Sequence, residues 1–98
     1  TAEHLGLDIR LTEDDINVDD GYTGEGYGIA TEGGLEAIRL LAQTEGIFLD
    51  PVYTGKTMAG LIDHIRSGEI SADETVIFLH TVGAPALFAD PETILSAF

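Results

Sequence analysis

No cysteine occurs in the chain, and its basic residues are limited to Arg10, Arg39, Arg66 and Lys56. The first absence excludes a disulfide framework, a thiolate metal site and a cysteine nucleophile. The second leaves 18 aspartates and glutamates largely without counter-charges, for a formal net charge of -14. A surface of that sign repels nucleic acid and anionic membranes, which argues against both as partners. Also missing are a signal-peptide pattern and any apolar run of about 20 residues, so a cytoplasmic protein is expected.

What is present is an ordinary apolar content, 44% of 98 residues, enough for one small domain with a modest core. Acid excess on such a chain points to solubility in concentrated salt, where the Debye length shrinks to about 3 Å at molar ionic strength. A halophilic cytoplasm is the expected source. An acidic interaction module is the alternative, but the acids are scattered along the chain and not gathered into a tail.

Along the chain, TAEHLGLD reads as a helix end closed by Gly6, and residues 9–20 alternate weakly, with Ile16 and Val18 placed for a short edge strand. GYTGEGYG is glycine-dense and reads as a loop with special backbone angles. From Thr31, an N-cap, the apolar positions Leu35, Ile38, Leu41 and Ala42 fall on one helical face, and Gly46 supplies the stop. Residues 47–49, IFL, are expected as a brief buried strand. A second helix carries Met58, Leu61, Ile62 and Ile65 on one face and stops at Gly68. VIFLH, residues 76–80, is the kind of continuous apolar run that is buried on both faces of a parallel sheet. A short terminal helix capped by Asp90, or begun by Pro91, closes the chain. Helix, strand, helix, strand is the grammar of an α/β fold with a parallel sheet covered by helices. Ligands bind beyond the carboxyl ends of such strands, so the turns after IFL and after VIFLH should face one ligand together.

The turn DPVYTGKT, residues 50–57, has the strand–turn–helix context of a phosphate-binding loop but not its residues. Asp50 stands where the motif needs glycine, and Pro51 removes an N–H donor. Lys56, the only lysine, invites three readings: a Schiff-base residue, an anion holder at a helix start, or a partner of Asp50 or Asp63. Asp15, Asn17 and Asp19 open like a calcium loop, yet Asp20 replaces the sixth-position glycine and Gly26 the twelfth-position glutamate, so no metal is expected. Tyr27 and Tyr53 each lie in a glycine-containing loop, where a pair of phenols facing a ligand competes with simple surface packing. Thr81 offers one small hydroxyl at the ligand edge, next to His80, where a satisfied core histidine is the expected reading over a catalytic one.

The run TEGGLEAIRLLAQTEGIFLDPVYTGKTMAGLIDHIRSGE, the following IFLHTVGAPALFA and the preceding GEGYG together resemble the C-terminal part of the D-cysteine desulfhydrase and 1-aminocyclopropane-1-carboxylate deaminase family. The resemblance runs from about Asp14 to Ala89. It implies a tryptophan-synthase β-like, fold type II domain dependent on pyridoxal phosphate, a small amino-acid substrate and a homo-oligomeric intact enzyme. It also implies that the Schiff-base lysine, its neighbouring serine or asparagine and the phosphate loop lie upstream of the matched segment. Residues 1–98 are thus expected to be the C-terminal part of a cofactor-binding domain, inactive alone or a degenerate remnant.

By the same resemblance Tyr27 contacts the substrate, and Tyr53 sits by the cofactor ring and serves proton transfer or substrate activation. Thr54 and Thr81 fall at two cofactor-binding positions where deaminases tend to carry glutamate and leucine. A carboxylate at position 54 would keep the pyridine nitrogen protonated, whereas a neutral hydroxyl leaves it unprotonated and limits delocalisation. Two threonines therefore favour α,β-elimination from D-cysteine, with the deaminase as the alternative. The family loop usually reads H-T-G-G; Val82 stands in its third place, where a β-branched residue disfavours positive φ and would alter cofactor binding or substrate choice. Because VIFLH needs sheet neighbours, the chain alone should be marginally stable or oligomeric in low salt. Circular dichroism melts and size-exclusion chromatography check this; a sharp, cooperative, monomeric transition in low-salt buffer contradicts it.

Overall fold

The computed structural model describes residues 1–81 and 83–98, so the expectation attached to Val82 lies outside the described residues. Three helices carry the architecture: α1 (Glu32–Glu45), α2 (Thr54–Ser67) and the short α3 (Pro91–Leu95). Single 3-10 turns occur at Glu13–Asp15 and Ala84–Phe88. The boundaries follow from side-chain chemistry. The Thr31 hydroxyl accepts the Gly34 N–H at 3.1 Å to start α1, and Gly46 ends it in the left-handed region at φ 68°. Gly68, at φ 82°, ends α2 in the same way. Asp90 caps α3 through the Thr93 N–H, with Pro91 in the first turn.

α1 and α2 pack together around Ala37, Ile38, Leu49 and Met58, with Leu35, Leu41, Leu61 and Ile62 half-buried beside them. The α1 face is rotated slightly from the expected one: Ala37 is buried, Ala42 only half so. On α2, Ile65 is exposed although its neighbours on the stripe are covered. Arg66 forks onto Glu36 at 2.9 and 3.3 Å, bridging the outer edge of the helix pair. The N-terminal turns approach closely because Gly55 has no side chain. A Cβ there would lie 2.6 Å from the Asp50 carbonyl oxygen and 3.2 Å from Ile38.

The strands expected over 47–49, over 76–80 and around Ile16 to Val18 are not formed; among the described residues there is no strand. A strand is held by a hydrogen-bonded ladder to its neighbours, and runs of three to five residues cannot supply one for themselves. The apolar side chains that such a sheet would cover stay in the open: Ile77 is 88% exposed and Leu79 77%. Asp15 instead folds its carboxylate back onto the Thr12 N–H at 2.8 Å, stabilising the turn that replaces the edge strand. The radius of gyration, 15.8 Å, exceeds the ~13 Å of a compact domain this long, as expected of a chain whose core is confined to one helix pair.

Alanine substitutions at two helical glycines should have opposite signs. Gly55→Ala should destabilise by about 1–3 kcal/mol, the range for overpacking, because backbone oxygen blocks the new methyl. At Gly33 the methyl would meet only the Ala59 Cβ, at an ordinary 3.5 Å. Gly33→Ala should therefore stabilise by about 0.5–1 kcal/mol through helix propensity. Urea denaturation of both variants distinguishes the cases.

Candidate functional site

The site begins with a buried carboxylate. Asp50 is fully buried at the start of the turn leading into α2. One of its oxygens accepts the N–H groups of Val52 and Tyr53 at 2.8 and 2.7 Å. The other accepts the Thr54 N–H at 2.8 Å and the Thr54 hydroxyl at 2.6 Å. That hydroxyl in turn accepts the Asp50 N–H at 2.9 Å, and the Asp50 carbonyl accepts the Gly55 N–H at 2.8 Å. Burial pushes the Asp50 carboxyl up, but hydrogen bonds from Thr54, Tyr53 and Val52 outweigh it and hold the group below its ordinary value. Negative charge at a helix N-terminus is favourable as well.

This network fixes the backbone of Tyr53 and turns its ring outward. Its hydroxyl lies 2.5 Å from that of Tyr27, 26 residues earlier, with the rings edge-on at 5.9 Å between centroids. The hydrogen bond to Tyr27 raises the Tyr53 pKa, and burial and the Asp50 charge add to the shift. Both phenols are protonated at neutral pH, and either can give the shared hydrogen.

Tyr27 reaches Tyr53 because the loop 19–28 is anchored to α2 at three points. The Tyr22 hydroxyl donates to Asp63 at 2.6 Å, which pushes its pKa up to about 12, while its ring lies over Gly60. His64 is clamped between Asp19 at 2.9 Å and Glu69 at 2.8 Å. Lys56, 8% exposed, points its ammonium at the Thr23 and Gly26 carbonyls, at 2.7 and 3.2 Å. The expected pairing of Lys56 with Asp50 or Asp63 is thus replaced by backbone carbonyls. Asp15 and Asp19 are likewise engaged by Thr12 and His64.

Between the loop, the Asp50 turn and α2 lies a cleft of about 790 Å³ lined by Tyr27, Tyr53, Lys56, His64 and Thr81, among others. The two turns expected to share a ligand do meet. Thr81 lines the cleft, the His80 ring bonds the Phe48 carbonyl at 2.9 Å, and Gly83 packs directly against the Asp50 carboxyl. At φ 123°, Gly83 is also in a backbone region closed to most residues. Thr54 is placed differently from the other three predicted residues. It is 2% exposed, its hydroxyl is committed to Asp50, and it does not line the cleft.

Asp50, Lys56, Tyr22 and His64 carry the geometry without having been singled out for these roles by sequence. The Asp50 network had a signal in the chain, an aspartate in a turn just ahead of a helix start, where its side chain can accept the N–H groups that follow it. The loop anchors had none, since they span 30 to 45 residues.

The chain matches the family described as pyridoxal-phosphate dependent enzymes over residues 1–82. It is 55% identical over 75 residues to D-cysteine desulfhydrases of Salmonella newport and Salmonella heidelberg, covering 76% of this chain and 23% of each of those proteins. A Schizosaccharomyces pombe protein named as a probable 1-aminocyclopropane-1-carboxylate deaminase is 48% identical over 89 residues, 91% of this chain and 26% of that one. The chain therefore spans about a quarter of the length of the curated relatives it matches. No helix of the described residues is long and apolar enough to cross a membrane.

Hydrogen bonding to Asp19, opposed by burial and reinforced by Glu69, raises the His64 pKa. The imidazolium thus stabilises the fold fully below the ordinary histidine value of about 6.5, and that contribution is lost as pH rises through the higher folded value. Stability measured from pH 6 to 9 should fall more for the wild type than for His64→Gln, and parallel curves would show that the clamp does not contribute.

Proposed function

The chain belongs to the pyridoxal-phosphate-dependent enzyme family, and on that premise we propose that it forms the substrate-side wall of a D-cysteine desulfhydrase-like lyase. In this reading the protein containing the segment converts D-cysteine and water to sulfide, pyruvate and ammonia. The observation that carries it is the hydroxyl contact between Tyr27 and Tyr53 at the mouth of a cleft that Thr81 also lines.

The residues suit the ring and substrate side of the cofactor. Thr81 presents an exposed neutral hydroxyl, the donor that leaves a pyridine nitrogen unprotonated. The phenol pair offers hydrogen-bonding groups where a substrate would lie. Pyridoxal phosphate, when bound, delocalises the charge left at the substrate α-carbon. Tyr53, a phenol and therefore protonated at neutral pH, delivers a proton to the departing sulfur as the carbon–sulfur bond breaks. Tyr27 keeps that proton oriented by sharing it, and contacts the substrate from the opposite loop. Lys56 has its ammonium satisfied by carbonyl groups, so the reactive lysine is assigned to the part of the relatives upstream of this segment.

Position 54 supports the desulfhydrase over the deaminase. A glutamate there would set a second carboxylate against the buried Asp50, which two like charges in contact resist strongly. Of the two threonines proposed to meet the cofactor, Thr81 takes the ring-facing role and Thr54 supports it through the turn. Residues 47–49 and 76–80 become strands when neighbouring strands of a fold type II domain pair with them.

Sulfide release from D-cysteine by the protein carrying this segment tests the reading. Tyr53→Phe should lower kcat by about 10²–10⁴-fold, the range for a lost general acid. Unchanged turnover in that variant, or no sulfide from the wild type, would overturn it. The chain alone, mixed with pyridoxal phosphate, should show no absorption from a lysine-bound cofactor; such absorption would make Lys56 the cofactor lysine.

A further inference from the structure

Tyr27 is 81% exposed and flanked by Gly26 and Gly28, the latter at φ 78°. A loop of that composition loses much backbone entropy on ordering, and an exposed ring contributes little packing to offset it. Something else must hold the phenol within hydrogen-bond distance of Tyr53. The Gly26 carbonyl, one residue before Tyr27, accepts from the Lys56 ammonium, and so does the Thr23 carbonyl. Lysine is seldom this buried, and among the described residues no carboxylate is in ion-pair contact with it. Its charge is spent on two backbone oxygens of a single loop.

We propose that Lys56 is a positioning residue for the tyrosine pair. It sits three residues after Tyr53, in the first turn of α2, so both halves of the pair are referenced to one rigid helical turn. Tyr53 is placed through the Asp50 network and Tyr27 through the Lys56 ammonium. The inference rests on the phenol pair as the chemistry-bearing site but does not depend on which amino acid the enzyme consumes.

Titration of tyrosine ¹³Cζ resonances in the full chain tests it, because the chain has three tyrosines and Tyr22 serves as an internal control. In Lys56→Met the Tyr53 midpoint should fall toward about 10, the ordinary phenol value, as it should in Tyr27→Phe. Tyr22 should stay near 12, held by Asp63. A Tyr53 midpoint unchanged from the wild type in Lys56→Met would overturn the proposal. Should Tyr22 also fall, the variant has lost its fold, and the wild type then decides. The ¹⁵Nζ protons of its only lysine should exchange with water much more slowly than those of a free lysine; exchange at the free rate overturns the proposal. Failure of the lyase reading would be visible separately, as absent sulfide release with the titration pattern intact.

Discussion

The carboxylate of Asp50 is the constraint on which the rest depends. It gathers three backbone N–H groups and one hydroxyl within 2.6 to 2.8 Å, in a place without solvent. Such a group is costly to bury unless every lone pair is used, and here the start of α2 supplies the donors. The helix therefore begins at Thr54 because Asp50 makes it begin there. Gly55 must then be a glycine for α1 to approach, and Gly83 must be one for the later loop to close over the carboxyl. The pKa of Asp50 is depressed, so this stabilisation is present above the ordinary aspartate value of about 3.9 and is lost as pH falls through the folded one.

Around that fixed turn, the glycine-rich loop is held mainly by polar contacts. Tyr22 on Asp63, Asp19 on His64 and two carbonyls on Lys56 tie it to one face of α2. The chain has few cations, and two of the groups that can carry positive charge, Lys56 and His64, are used here. Oriented hydrogen bonds fix the loop in direction as well as in distance, which apolar contacts do not. That suits a loop whose task is to set one hydroxyl against another.

The helices were legible because helical periodicity is local: Thr31, Gly46, Gly68 and Asp90 mark their ends within a few residues of the apolar stripes they bound. The expected strands do not form among the described residues, for the opposite reason. IFL and VIFLH have strand composition, but composition does not supply the neighbours a ladder needs, and the described residues contain none. Tyr27, Tyr53 and Thr81 were found in the chain and do meet at one cleft. By sequence Asp50 is a charge that spoils a phosphate loop or a partner for Lys56, although negative charge is also what the start of a helix favours. Lys56 was unreadable in principle, since its partners are carbonyl oxygens that every residue possesses.

Asp50 organises the turn, and amide hydrogen exchange in Asp50→Asn tests that role most directly. The asparagine keeps the shape but turns an acceptor into a donor facing N–H groups. The amides facing the new NH2, either the Val52 and Tyr53 pair or Thr54, should lose their protection, and stability should fall by about 1–3 kcal/mol for the polar groups left unpaired. Wild-type protection at those three amides, with stability unchanged, would contradict the claim that this carboxylate sets the turn on which Tyr53 is presented.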